Sequence, residues 1–164
     1  MTGTWGPGEG ERSEAILVRA DYIPTTLYTN DVRGYSLQVP TSWTSEAIEE
    51  DIPFTSIHPL GRKELGLAVG TVPEPNGRPL VEIVEDVMSG DHRISLNPTA
   101  AFAGRKGVQV EWRYSTVSEN HRATSFFTYV GDKVLRIDSS FPIKEESIWA
   151  PVLERMKGTF RIGE

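Results

Sequence analysis

Three stretches in the second half of this chain, Val108–Val117, Arg122–Val130 and Lys133–Ser139, constrain its fold more than any other feature. Each reads as a long strand. Only Ser118–His121 and Gly131-Asp132 separate them. A parallel crossover needs a dozen or more residues, so connections this short join antiparallel neighbours. Gly131-Asp132 suits a type II′ hairpin, because glycine accepts positive φ at the first central position. An antiparallel meander is therefore the expected centre of the fold.

Pairing those strands sorts their side chains. With the turn at Gly131-Asp132, Tyr129 opposes Val134, Phe127 opposes Arg136 and Ser125 opposes Asp138. With Ser118–His121 as a four-residue loop, Trp112 opposes Phe127 and Tyr114 opposes Ser125. One face then carries Val110, Trp112, Tyr114, Phe127, Tyr129 and Val134, with Arg136 and Asp138 among them. The other carries Glu111, Arg113, Phe126, Thr128, Leu135 and Ile137. The aromatic face calls for a covering helix, and charges on it must be paired or sit at its margin.

Upstream, Tyr35, Leu37 and Val39 alternate with Ser36 and Gln38 behind a turn at Arg33-Gly34, giving a half-buried strand beside a short edge strand around Tyr28. Phe54–His58 and Leu65–Val72 read as two further strands, the second weakened by Gly66 and Gly70. Between Arg78 and Gly90 the period changes: Leu80, Ile83, Val84, Val87 and Met88 form an apolar helical stripe opposite Glu82, Glu85 and Asp86. Pro79 suits the first helical position and Gly90 the C-terminal cap. A last amphipathic helix carries Ile148, Trp149, Val152, Leu153 and Met156 and is expected to start within about three residues of Pro151. Gly158 is expected to cap it, with Thr159–Ile162 returning as a strand. Residues 1–14 read as a Gly-rich, charged leader, and Ala15–Val18 as a first strand or helical turn, so residues 15–164 form the single expected domain. Trp43, after the strand-ending Pro40, and Trp149 are expected in the core.

Composition removes several function classes. The absence of cysteine rules out disulfides, thiolate nucleophiles and thiolate metal sites. A net charge of −6 supplies no positive field for nucleic acid. No apolar run approaches the length of a membrane-spanning helix. The start shows no basic-then-apolar signal, so an export signal is expected to lie outside this sequence.

Catalytic patterns are equally missing. His58, His92 and His121 lie in different elements without metal-ligand spacing and are expected at the surface. Ser139-Ser140 lacks a nucleophile elbow, and no Gly-Lys-Ser/Thr follows the glycines at 66, 70, 104 and 107. No cofactor or metal and no enzymatic activity are expected. The candidate binding residues are Trp112, Tyr114, Phe127, Arg136 and Asp138. They read either as a structural ion pair at the sheet margin, with Arg136 stacked on Phe127 or Trp112, or as an aromatic groove with a charged handle.

The segment Tyr28–Trp43, with Gly34, Tyr35 and the Pro40-to-Trp43 spacing, resembles the opening of PsbP-like proteins. The closing run, with Gly131, Val134–Ser139, Trp149–Met156 and Thr159-Phe160, is similar to the end of that family. The resemblance implies an α+β fold, an α/β/α sandwich with a central antiparallel β-sheet flanked by helices. It further implies binding, chiefly of proteins, as in a Ran-binding nuclear-transport factor and bacterial lipoproteins of this fold, and an extracytoplasmic or envelope-associated setting. The expected function is thus a non-enzymatic protein-interaction or accessory module. The alternative is a carrier or sensor of a small amphipathic ligand held between sheet and helix.

Overall fold

The computed structural model describes residues 23–49, 53–74, 76–90 and 92–163. The leader and the run at Ala15–Val18 lie outside the described residues. Strands β1 (Thr25–Asn30) and β2 (Tyr35–Pro40) form a hairpin, and the two-residue strand β10 (Arg161–Ile162) pairs with the other edge of β2. This small sheet has the order β1-β2-β10. The remaining strands are β3 (Trp43–Ile48), β4 (Phe54–Pro59), β5 (Gly66–Pro73), β6 (His92–Phe102), β7 (Arg105–Ser115), β8 (Asn120–Val130) and β9 (Lys133–Pro142). They form a seven-stranded antiparallel sheet of order β3-β4-β5-β9-β8-β7-β6.

The expected meander is its centre. β8 and β9 pair in the expected register, Tyr129 to Val134, Phe127 to Arg136 and Ser125 to Asp138. Gly131 has φ +64°, and Asp132 is not among the residues with positive φ, as a type II′ turn requires. The β7–β8 pairing needs correction. Ser115 opposes Asn120, so the loop is Thr116–Glu119, and Trp112 opposes Ala123 and Tyr114 opposes His121. Thr116 fixes this loop: its Oγ1 donates to the Glu119 carbonyl and accepts from the Glu119 N–H, at 3.1 and 3.2 Å. The register is four residues from the expected one. Four is even, so every side chain keeps its expected face.

Helix α1 (Leu80–Val87) lies against the aromatic face. Its Ile83 and Val84, with Met88 just beyond, pack with Val108, Val110, Phe127 and Val134. Pro79 takes the N-cap and not the first helical position, and Met88 takes the C-cap; Gly90, at φ +95°, follows two residues later. The opposite face buries Phe126, Leu135 and Ile137 against Tyr35, Leu37 and Val39 of β2 and Val152, Leu153 and Met156 of helix α2 (Glu146–Gly158). The second layer is therefore shared between a helix and a small sheet, where helices alone were expected.

α2 begins five residues before Pro151, directly after a 3₁₀ turn at Ile143–Glu145, and Gly158 is its last residue while Thr159 caps it. Pro151 thus sits inside the helix, on its exposed side. There the missing N–H weakens the helix without burying an orphaned group among apolar side chains. Trp43 and Trp149 are partly buried at the core margin, edge to face at 6.2 Å.

Two strands went unrecognised in the sequence, and both are sheet edges. β3 carries Thr44, Ser45 and Glu46, all partly or fully exposed, so it has no apolar alternation to read. β6 contains Pro98 and shifts register between Arg93 and Ser95 and again between Asn97 and Ala100. Proline and bulges are ways to protect an edge from further pairing, and they erase the period that sequence reading depends on.

Candidate functional site

The five residues singled out in the sequence do share one face, and the structure divides them into two groups. Phe127 is wholly buried beneath α1, so it packs the core and touches nothing from outside. Arg136 stands over the Phe127 ring, 5.4 Å from its centroid, and its Nε donates to Asp138 Oδ1 at 2.9 Å. Trp112 and Tyr114 pack together at 5.3 Å on β7. The Trp112 Nε1–H donates to Ser125 Oγ at 2.8 Å, and the Tyr114 hydroxyl donates to the Glu64 carbonyl at 3.3 Å. Burial raises the Tyr114 phenol pKa. These side chains spend the bonds shown here on one another, on Ser125 and on the backbone.

Two histidines expected at the surface are interior. His121 is fully buried, stacked on Tyr114 at 4.7 Å, and neither ring nitrogen has a hydrogen-bond partner. With the loop at Thr116–Glu119, His121 is the second residue of β8 and points to the covered face alongside Ala123 and Ser125. His58 is 3% exposed; its Nδ1 lies 2.8 Å from the Pro59 carbonyl, and its Nε2 lies 3.8 Å from a Glu46 carboxylate oxygen. His92 opens β6, opposite Arg113. Among the described residues, no three His, Asp or Glu side chains gather as metal ligands, and no helix is long and apolar enough to cross a membrane.

A second site comes from the β1–β2 turn. Asn30 accepts twice within it, from Gly34 N–H at its carbonyl (2.8 Å) and from Arg33 N–H at its side-chain oxygen (3.0 Å). Gly34 closes the turn at φ +70°, a conformation glycine adopts without strain. The Asn30 amide nitrogen reaches across to Thr55 Oγ1 on β4 at 3.3 Å. Arg33 Nη1 donates to the same hydroxyl at 3.1 Å. Thr55, 3% exposed, thus anchors the small sheet's turn to the large sheet. Arg33 Nε is buried with no acceptor, and no carboxylate among the described residues pairs with this guanidinium. A buried donor left unpaired costs about 1–3 kcal/mol.

Arg33 forms part of the wall of a cleft of about 870 Å³, open to solvent, between the turn and strands β3, β4, β5 and β9. Its interior is lined by Tyr28, Asn30, Thr55, Thr71, Val130 and Leu135, while Asp31, Glu49, Asp132 and Lys133 are exposed at its rim. Tyr28 and Ser45 also line an adjoining groove of about 200 Å³ that continues past Leu27, Val39, Trp43 and Ile57. Cleft and groove make one trough. It follows the edge of β1 on one side and of β3 on the other, neither paired with another strand among the described residues, and is polar at the Arg33 end and apolar at the Trp43 end. Burial, then the neighbouring Tyr28, hold the Tyr35 phenol pKa well above the ordinary tyrosine value. The trough escaped sequence reading because one of its sides is β3.

No family model matches the chain, and no curated protein does. Solved structures do. The solution structure of cyanobacterial PsbP (CyanoP) from Synechocystis sp. PCC 6803 matches with a TM-score of 0.58 at 16% identity, over 98% of each chain. A protein from Bacteroides thetaiotaomicron VPI-5482 matches at 0.51 and 11% identity, over 79% of this chain and 45% of that one. LpqN of Mycobacterium tuberculosis, described as involved in cell envelope biogenesis, matches at 0.49 and 12% identity, over 88% of this chain and 96% of that one. Coverage of nearly the whole of both chains by the cyanobacterial structure, with the two-sheet arrangement above, means that this chain has the PsbP-like fold.

Proposed function

We propose that this chain is a non-enzymatic accessory module that binds a protein partner, taking an extended segment of it into the trough between its two sheets. The observation that carries the proposal is the pair of strand edges, β1 and β3, that have no partner strand among the described residues and lie along a single open trough. An exposed edge offers backbone donors and acceptors to an added strand, and side pockets supply selectivity. A small amphipathic ligand is the second reading, favoured by a cleft whose volume of about 870 Å³ falls in the range of ligand sites. The half-buried Trp112, Tyr114, Arg136 and Asp138 are the competing position for docking. An extracytoplasmic location is part of the proposal, resting on the family resemblance; fractionation of the producing cells tests it.

Two measurements separate these readings. A photoreactive residue placed at Val32, 92% exposed at the lip of the cleft, should cross-link the partner in the producing cell. The same residue at Val117, in the loop before β8 and so at the far end of that strand, should not. Cross-linking at Val117 alone, or binding abolished by Trp112→Ala or Arg136→Ala, would move the docking site to the other face. A native mass spectrum showing bound mass that is lost on denaturation would put the small-ligand reading first.

A further inference from the structure

Resting on that reading, we infer that the trough recognises a carboxylate carried by an extended peptide, and that Arg33 is the residue that binds it. Five other arginines, Arg62, Arg78, Arg93, Arg122 and Arg136, each hold a carboxylate of this chain. Arg33 holds none among the described residues, although it is partly buried and fixed in place at both ends. Its backbone N–H is tied to Asn30 and one Nη1 hydrogen to Thr55, and Nε is buried, which leaves Nη2 and the second Nη1 hydrogen as the paired donors for a ligand entering from the cleft. Two parallel N–H groups at fixed spacing match the two oxygens of a carboxylate, a geometry that lysine cannot reproduce. Holding the guanidinium before binding removes much of the entropic cost of forming that pair.

The surroundings narrow the class of anion. Asp31, Glu49 and Asp132 stand at the rim with only Lys133 to offset them. A polyanion is repelled by that ring, whereas a single carboxylate, especially one beside a basic side chain, is tolerated. The trough also has the dimensions of a peptide. β1 and β3 are six residues each, and a six-residue strand is about 20 Å long. A peptide whose carboxylate meets Arg33 therefore reaches Leu27 and Trp43 with the side chains about four to six residues away. Those positions are expected to be apolar. The carboxylate is either a chain terminus or an acidic side chain.

The test uses immobilised full-length protein and three pools of random hexapeptides, with retained peptides read by mass spectrometry. One pool has free C-termini, one has amidated C-termini, and one is amidated and lacks Asp and Glu. Retention of the free-acid pool about tenfold above the third pool, and a similar fall for Arg33→Gln, is the expected result, the size of one charge-assisted pair. Retention of the second pool identifies a side-chain carboxylate; its loss identifies the terminus. In the nitrogen–proton spectrum, the Arg33 guanidinium N–H resonances should shift with the retained peptides and not with their carboxylate-free counterparts. Arg33→Lys guards against a folding defect, since it keeps the charge and should still lose most retention. Equal retention of all pools, abolished by obstructing the trough with Ala47→Trp, would overturn the carboxylate assignment while leaving trough binding intact. No retention of any pool would overturn the peptide assignment, and cross-linking at Val32 would then decide trough binding by itself.

Discussion

Gly107 and Gly104 separate two kinds of glycine requirement. A Cβ at Gly107 would lie 2.1 Å from the Phe127 carbonyl oxygen and 2.7 Å from the Phe126 ring, with no positive φ involved. At Gly104 the backbone has φ +76° and nothing lies within 4 Å of a Cβ. Gly107→Ala should therefore lose at least the ~1–3 kcal/mol of a small overpacking. Gly104→Ala should lose only about 1 kcal/mol, from backbone strain. Urea titration of both variants checks the order, and a reversed order would mean that β7 and β8 are not packed as closely as described. Tyr35 gives a prediction in pH. Its folded-state pKa is raised, by burial first and then by Tyr28, so the unfolded chain releases the phenolic proton at a lower pH than the folded one. The associated stability is complete below about pH 10 and falls above it, by up to about 1.4 kcal/mol per pH unit for one proton. Tyr35→Phe should flatten that alkaline fall, measured as urea stability at several pH values from 9 upward. An unchanged slope would exclude Tyr35 as its source.

At the scale of elements, α2 carries an internal proline that its packing does not require. Pro151 is exposed, while Val152, Leu153 and Met156 fill the core. Pro151→Ala restores one helical N–H and removes a steric conflict, partly offset by a more flexible unfolded chain. A net gain of about 1–2 kcal/mol is expected, read as a higher urea midpoint with unchanged slope. A loss would show that the proline sets the entry angle of the helix. The elements also show what sequence patterns can carry. β8 and β9 were legible to the residue because a two-residue Gly turn leaves one register. The β7–β8 loop was displaced because neither Thr116–Glu119 nor Ser118–His121 contains a glycine, and Val117 reads as the end of a strand. What decided between them was Thr116 closing on Glu119 and the accommodation of His121 inside.

For the whole molecule, the relation between the two sheets rests partly on a few side chains. Thr159 is one: its hydroxyl donates to the Met156 carbonyl at 2.7 Å and accepts the Gln38 N–H at 2.9 Å, joining the end of α2 to β2. Thr55 is another, at the opposite end of the hairpin. Thr159→Val removes both bonds of the hydroxyl at nearly constant shape and should lose about 1–3 kcal/mol. Hydrogen exchange should show the loss first in β1, β2 and β10, because the seven-stranded sheet keeps its own ladders. Uniform acceleration across both sheets would mean that they unfold as one unit.

The sequence by itself determined the meander, both helices, the β1–β2 hairpin and which residues of the long strands share a face. Those properties depend on period, turn chemistry and short-range pairing, all of which are local. It also sufficed to bring Trp112, Tyr114, Phe127, Arg136 and Asp138 onto one face, with Arg136 paired to Asp138 over Phe127. Only the tertiary structure decided that His58 and His121 are interior, and that β3 and β6 exist as edges. It alone showed that Arg33 lines a trough and meets no carboxylate among the described residues. Each of these depends on which element lies opposite, and an edge strand or a turn arginine has no periodic partner in the sequence to announce it.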